Sequence, residues 1–105
     1  MKRADIHNGF IFTFRDYVGR TTCFDGEIEV NGIETWEIKP VEITNETIEL
    51  LGLKFYNGWY FRDVLFTREQ DHYVVTIHGF EVPNKTIHYI HEIQAVIYAI
   101  YGIIV

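Results

Sequence analysis

The stretch that decides the fold is Thr86-Ile87-His88-Tyr89-Ile90-His91-Glu92-Ile93-Gln94-Ala95-Val96-Ile97-Tyr98-Ala99-Ile100-Tyr101-Gly102. Ile90, Ile93, Ile97, Ile100 and Tyr101 recur at helical spacing, and Gly102 stands where a left-handed residue closes a helix. The spacing predicts a helix from about Ile87 to Tyr101. Its polar residues, His88, His91, Glu92 and Gln94, all lie in the first half. After Gln94 it is apolar on every side, so it should be buried on most sides by a sheet and by a partner. Its many β-branched residues disfavour a helix intrinsically, so burial must override propensity.

Working back from this helix, the chain reads as strands and turns. Phe10, Phe12 and Phe14 alternate at period 2, and Val18 to Phe24 is rich in strand formers. Glu27 to Val30 and Ile33 to Ile38 flank Asn31-Gly32, with Asp25-Gly26 as the turn before them. Asn57-Gly58 separates Leu53 to Tyr56 from Trp59 to Phe66. Asn-Gly between alternating runs is a strong hairpin signal, because both turn residues take positive φ readily. Thr67 to Asp71 reads as a polar loop and His72 to His78 as a strand. Gly79 reads as a bulge, and Phe80 to Val82 as a continuation of the strand before Pro83. Between the two sets of strands, Thr44 to Gly52 reads as a short helix with Thr44 as N-cap and Gly52 past its end. Too short to persist alone, it must pack Ile48 and Leu51 on a sheet.

The class expected is therefore α+β. A small antiparallel sheet or partly closed barrel is built from hairpins, with one short middle helix and one long C-terminal helix packed on the sheet. Residues 1–105 read as a single domain, since no linker or repeat divides them. Ile103-Ile104-Val105 is expected to add a short strand or dock on the core.

Composition removes several classes of function. Nine basic against 15 acidic residues give a net charge of −6, and only Lys2 and Arg3 are adjacent. A phosphate-binding surface needs clustered cations, so nucleic acid is not expected as a partner. Serine is absent, which excludes a Ser-His-Asp triad. No glycine-rich phosphate loop is present and no cofactor is expected. The segment Met1 to Asn8 has no apolar core of a secretory signal. The apolar run from Ala95 to Val105 is shorter than the ~18 residues a membrane span needs. With the lone Cys23, these features point to a cytoplasmic protein.

Three groups of residues carry candidate chemistry. His88-x-x-His91-Glu92 would put two imidazoles and a carboxylate on one helical face, a set able to bind Zn²⁺ or Ni²⁺. The spacing is not that of a zincin helix, in which Glu follows the first His directly. His91 and Gln94, three apart, are the helix residues best placed for a specific contact, either with a ligand or with strand ends that they would orient. Trp59 and Tyr60, with Phe55, Tyr56 and Phe61, make an aromatic hairpin whose outer face could stack a base or a peptide. Cross-strand pairing accounts for the same rings. Cys23 has no partner motif and reads as a small core residue.

Tyr89, His91, Gln94, Ala99 and Gly102 resemble the closing helix of small proteins from gut Bacteroidetes, many carried on phages and mobile elements. Trp36-Glu37-Ile38-Lys39-Pro40-Val41-Glu42-Ile43-Thr44 and Leu51-Gly52-Leu53 before a Trp-Tyr hairpin look similar too. The likeness covers most of residues 27 to 102. It departs at Ala95, where the family has a polar residue, and at Ile103-Ile104-Val105, where the family is acidic. The resemblance implies a bacterial or phage source and a cytoplasmic setting, and supplies no activity.

Three readings of function follow. The first is a non-enzymatic accessory or protein-interaction module that dimerises or binds a partner through the C-terminal helix. The second is a small metal-dependent hydrolase using His88, His91 and Glu92. The third is a small β-barrel that contacts nucleic acid through aromatic residues.

Overall fold

The computed structural model describes residues 7–15, 17–24, 27–30, 33–34 and 37–105. The Asp25-Gly26 and Asn31-Gly32 turns and Trp36 lie outside these. Among the described residues, ten strands form two five-stranded antiparallel sheets, and two helices complete an α+β fold. The first sheet contains β1 (Ile11–Phe14), β2 (Tyr17–Phe24), β3 (Glu27–Val30), β4 (Ile33–Glu34) and β5 (Ile38–Pro40), in the order β4-β3-β2-β1-β5. The short helix α1 (Asn45–Glu49) follows. The second sheet is a simple meander of β6 (Lys54–Phe55), β7 (Trp59–Phe61), β8 (Val64–Glu69), β9 (His72–Ile77) and β10 (Phe80–Ile87). Helix α2 (Ile90–Tyr101) comes last. One of the sheets curls into a half-barrel.

The meander depends on tight turns that the sequence only partly announces. Phe61 pairs with Val64, Glu69 with His72, and Ile77 with Phe80. Each pair leaves a two-residue turn, and the first turn residue has positive φ: Arg62 at 52°, Gln70 at 55° and His78 at 50°. Trp59 to Phe66 is thus two strands, where the sequence suggests one. Thr67 to Glu69 belongs to β8, where the sequence suggests a loop. Gly79 closes a hairpin and is no bulge. Arg-Asp and Gln-Asp lack the Asn-Gly signature, so packing of the flanking strands sets these turns. Arg62 recovers part of the cost by lying over the rings of Phe61 and Tyr101 at 5.2 and 4.8 Å.

The Asn57-Gly58 hairpin exists with a different register. Phe55 pairs with Trp59, so Tyr56 joins the turn. Gly58 takes φ 148°, and its N-terminal neighbours fold back so that Tyr56 N–H donates to Gly58 O at 2.8 Å.

Helix α1 forms as the sequence indicates. Thr44 accepts from Thr47 N–H through its hydroxyl, and Thr47 Oγ1 accepts from Thr44 N–H in return. Ile48 is fully buried and Leu51 nearly so.

Helix α2 starts three residues later than its periodicity suggests. Ile87 is the last residue of β10, paired with Tyr73, and Tyr89 is the extended N-cap. Ile87 is fully buried on the sheet, so the strand ladder holds it where helical spacing alone would claim it. The chain is further tied by Ile90 N–H donating to Val41 O and by a lone bridge between Glu42 and Tyr89. Gly102 closes the helix at φ 69°, its N–H bonded to Tyr98 O.

Two hydrophobic clusters meet at β1. The larger joins the inner face of the second sheet (Trp59, Val64, Phe66, Tyr73, Val75, Ile87) to Ile90, Ile93 and Ile97 of α2, to Ile48 of α1, and to Ile11. The smaller contains Phe10, Phe12 and Ile28, with Ile38, Ala95 and Ile104 against it. Strand β1 therefore buries both faces, Ile11 toward one cluster and Phe12 toward the other. Each fully buried isoleucine of α2 contributes roughly 1.5–3 kcal/mol relative to exposure. The end of α2 is less covered than its composition suggests: Tyr98 is 40% and Ile100 39% exposed. Residues 103–105 form no strand. Ile104 packs into the smaller cluster instead.

A Cβ at Gly58 would stand 2.9 Å from Leu65 Cδ1 and 3.2 Å from Phe66 O. Gly58→Ala should therefore lower stability by about 1–3 kcal/mol, measured by urea denaturation.

Candidate functional site

Gln94 sits where α2 crosses β1, with no exposed surface. Its Oε1 accepts from Ile11 N–H at 2.7 Å, and its Nε2 donates to Gly9 O at 3.1 Å and to the Val105 main-chain oxygen at 2.9 Å. All these partners are main-chain atoms. The side chain thus ties the chain just before β1, the start of β1 and residue 105 to one turn of helix. Arg20 reinforces the arrangement by donating to the same two oxygens, of Gly9 and Val105, at 2.8 and 2.7 Å. The role is that of an orienting residue, and no surface of Gln94 remains for a ligand.

His91 lies one turn earlier on the same face. Its ring stacks on Phe12, with centroids 4.7 Å apart and planes 26° apart. Tyr89 stacks beside it at 6.0 Å and 12°. Both helix residues singled out by their spacing therefore face β1, and His91 is held between aromatic surfaces.

His88 does not share that face. It precedes the helix, between the end of β10 and the N-cap, so the helical spacing to His91 does not apply. Glu92 Oε1 accepts from both His88 N–H and Tyr89 N–H at 2.9 Å. These are N–H groups at the helix entrance that a carboxylate at N3 satisfies well. The carboxylate is thereby occupied as a cap. Among the described residues, no group of three His, Cys, Asp or Glu has the geometry to hold a metal ion.

What the sequence could not indicate is the neighbour His88 does have. Ile87 pairs with Tyr73. One further step of that antiparallel register sets His88 opposite His72, and their ring centroids are 6.1 Å apart. On the other side of His72, the register of β8 sets Glu69 opposite it. Asp71, in the turn, accepts from His72 Nδ1 at 3.2 Å. That hydrogen bond holds the Asp71 carboxyl below its ordinary range, helped by its own main-chain N–H and by the charges His72 and His88 carry when protonated. Beside this cluster is an open cavity of about 270 Å³, lined by Glu42, Ile43, Arg68, Asp71, Tyr73, His88 and Tyr89. Only the strand register could have revealed the pair, since His72 and His88 are sixteen positions apart.

The aromatic hairpin is divided between core and solvent. Trp59 is 8% exposed and belongs to the main cluster, whereas Phe55 is 66% and Tyr56 74% exposed. Phe55 meets Trp59 edge to face at 5.2 Å, the cross-strand pairing expected of such a hairpin. Tyr60 points to the opposite face from Trp59 and is half-buried. A second cavity, of about 250 Å³ and almost wholly apolar, lies between the inner face of the second sheet and the later half of α2. Val75, Ile77, Val82, Val96, Ala99 and Ile100 line it, with Lys85 at its rim.

Comparison with family models, with curated proteins and with solved structures finds no match for this chain. Among the described residues, no helix is long and apolar enough to cross a membrane.

Two outcomes follow from the geometry. Gln94→Leu should cost about 1–3 kcal/mol in denaturant unfolding, because it leaves the buried Ile11 N–H without its acceptor and leaves Gly9 O and Val105 O with Arg20 as donor. Gln94→Glu should also be destabilised, since a carboxylate cannot donate to Gly9 O and Val105 O. Separately, the Asp71 carboxyl should titrate below the usual aspartate range in an NMR pH series and return toward it in His72→Gln. The sign is that of a depressed acid: its stabilisation is present above the unfolded-state value and is lost as pH falls through the folded one.

Proposed function

We propose that this protein is a non-enzymatic accessory module that acts by protein association, with a second copy of the chain as its simplest partner. The observation that carries the reading is the apolar end of α2. Tyr98 and Ile100 are exposed on it, and Ala99 and Ile100 form one wall of the apolar cavity over β9 and β10. A helix end with exposed apolar side chains next to an apolar groove can be self-complementary. The side chains of one copy then fill the groove of the other across a two-fold axis. Phe80, 79% exposed at the start of β10, adds to the apolar surface of the same sheet.

The residues singled out for chemistry support the same reading. Gln94 is used internally, His91 is stacked in place and Glu92 caps its helix, so none is committed to a reaction. The likeness of residues 89–102 to small proteins of gut Bacteroidetes and their mobile elements bears on source and setting. We infer from it, and from the lone Cys23, a bacterial or phage source and a cytoplasmic setting.

Size-exclusion chromatography with light scattering tests the proposal. The unmodified chain should run at twice its 12.4 kDa mass at high micromolar concentration. Ile100→Glu should return it to a monomer with its melting temperature little changed. A chain that stays monomeric at millimolar concentration would overturn self-association.

A further inference from the structure

We infer that His72 and His88 form a two-imidazole binding site for a borderline transition-metal ion, of which Zn²⁺ is the type. The inference is independent of self-association and uses neither His91 nor Glu92. Three observations carry it. The first is placement. His72 begins β9 and His88 lies one step past Ile87–Tyr73, the last pair of the β9–β10 ladder, with the two ring centroids 6.1 Å apart. Two imidazoles bound to one ion at about 2.1 Å hold their centroids roughly 5–6 Å apart. His88 is exposed, so rotation of its side chain closes the difference.

The second observation is the tautomer that the surroundings favour. Asp71 Oδ1 lies 3.2 Å from His72 Nδ1. A proton on Nδ1 that is donated to this carboxylate leaves the lone pair on Nε2, directed away from the turn. A carboxylate behind a histidine is the common support of a metal-bound imidazole, since it fixes the ring and raises its basicity. The third is charge. Glu69 faces His72 from β8 in the same row, so two carboxylates border the pair. Arg68 lines the same cavity as Asp71 and His88, and its guanidinium is engaged through Nε with Gln70 O at 3.2 Å.

Because no three donors converge among the described residues, the remaining coordination positions fall to water. Nitrogen donors select Zn²⁺, Ni²⁺ or Cu²⁺ over Mg²⁺ and Ca²⁺, which prefer oxygen.

Calorimetric titration of the full chain with Zn²⁺ at neutral pH tests the assignment, with Mg²⁺ and Ca²⁺ as comparisons. One equivalent of Zn²⁺ should bind and raise the melting temperature, and the other two ions should do neither. His72→Gln and His88→Gln should each weaken binding at least tenfold. Asp71→Asn should weaken it about ten- to a hundredfold with the stoichiometry kept. His78→Gln, at the far end of β9, should leave it unchanged. In the unsubstituted chain, the imidazole NMR signals of His72 and His88 should move together on adding Zn²⁺. Absence of binding overturns the site. So does equal binding by the His72→Gln/His88→Gln double variant, or movement of the His7, His78 or His91 signals instead.

Discussion

The rest of the structure depends on one buried amide. Two antiparallel sheets and a helix can pack in many relative positions if only apolar surface is matched, because burial is not directional. Gln94 removes that freedom. Its three hydrogen bonds to residues 9, 11 and 105 are satisfied in one arrangement of the helix, the first strand and residue 105. Any slip of α2 along β1 would leave buried polar groups without partners, at a cost comparable to a large part of a small domain's stability. The isoleucines of α2 supply the attraction, and Gln94 sets the register.

Strand β1 shares this burden. It carries Ile11 in one cluster and Phe12 in the other, and Phe10, just before it, joins the second. The alternating phenylalanines are a true period-2 face, yet the opposite face is buried as well at Ile11. Stacking of His91 on Phe12 then extends the contact between α2 and β1 beyond the amide. A polar helix face that would ordinarily meet water is instead matched, group by group, to a strand.

The α+β class, the capped helix at Thr44 and the burial of Ile90, Ile93 and Ile97 were legible in periodicity and capping chemistry. The turns at Arg62-Asp63 and Gln70-Asp71 were not, because neither carries glycine or asparagine and tertiary packing imposes the positive φ. The start of α2 was misread for a related reason: Ile87 fits the helical spacing, but its partner Tyr73 lies on a strand that local pattern cannot supply. The same limit applies to the candidate site. His91 and Gln94 were found by their spacing on one helix. The neighbours of His88 depend on a ladder between β9 and β10, which no local motif encodes.

Strand β10 has a consequence for how the protein behaves when crowded. It is the long edge of the second sheet, and an unpaired edge is a template on which further strands can grow. Here the register breaks between Glu81 and Thr86, Pro83 lacks a donor, Asn84 turns to φ 60° and Lys85 brings a charge. The opposite edge, β6, is two residues long. Addition of further strands to this sheet is therefore disfavoured at both borders.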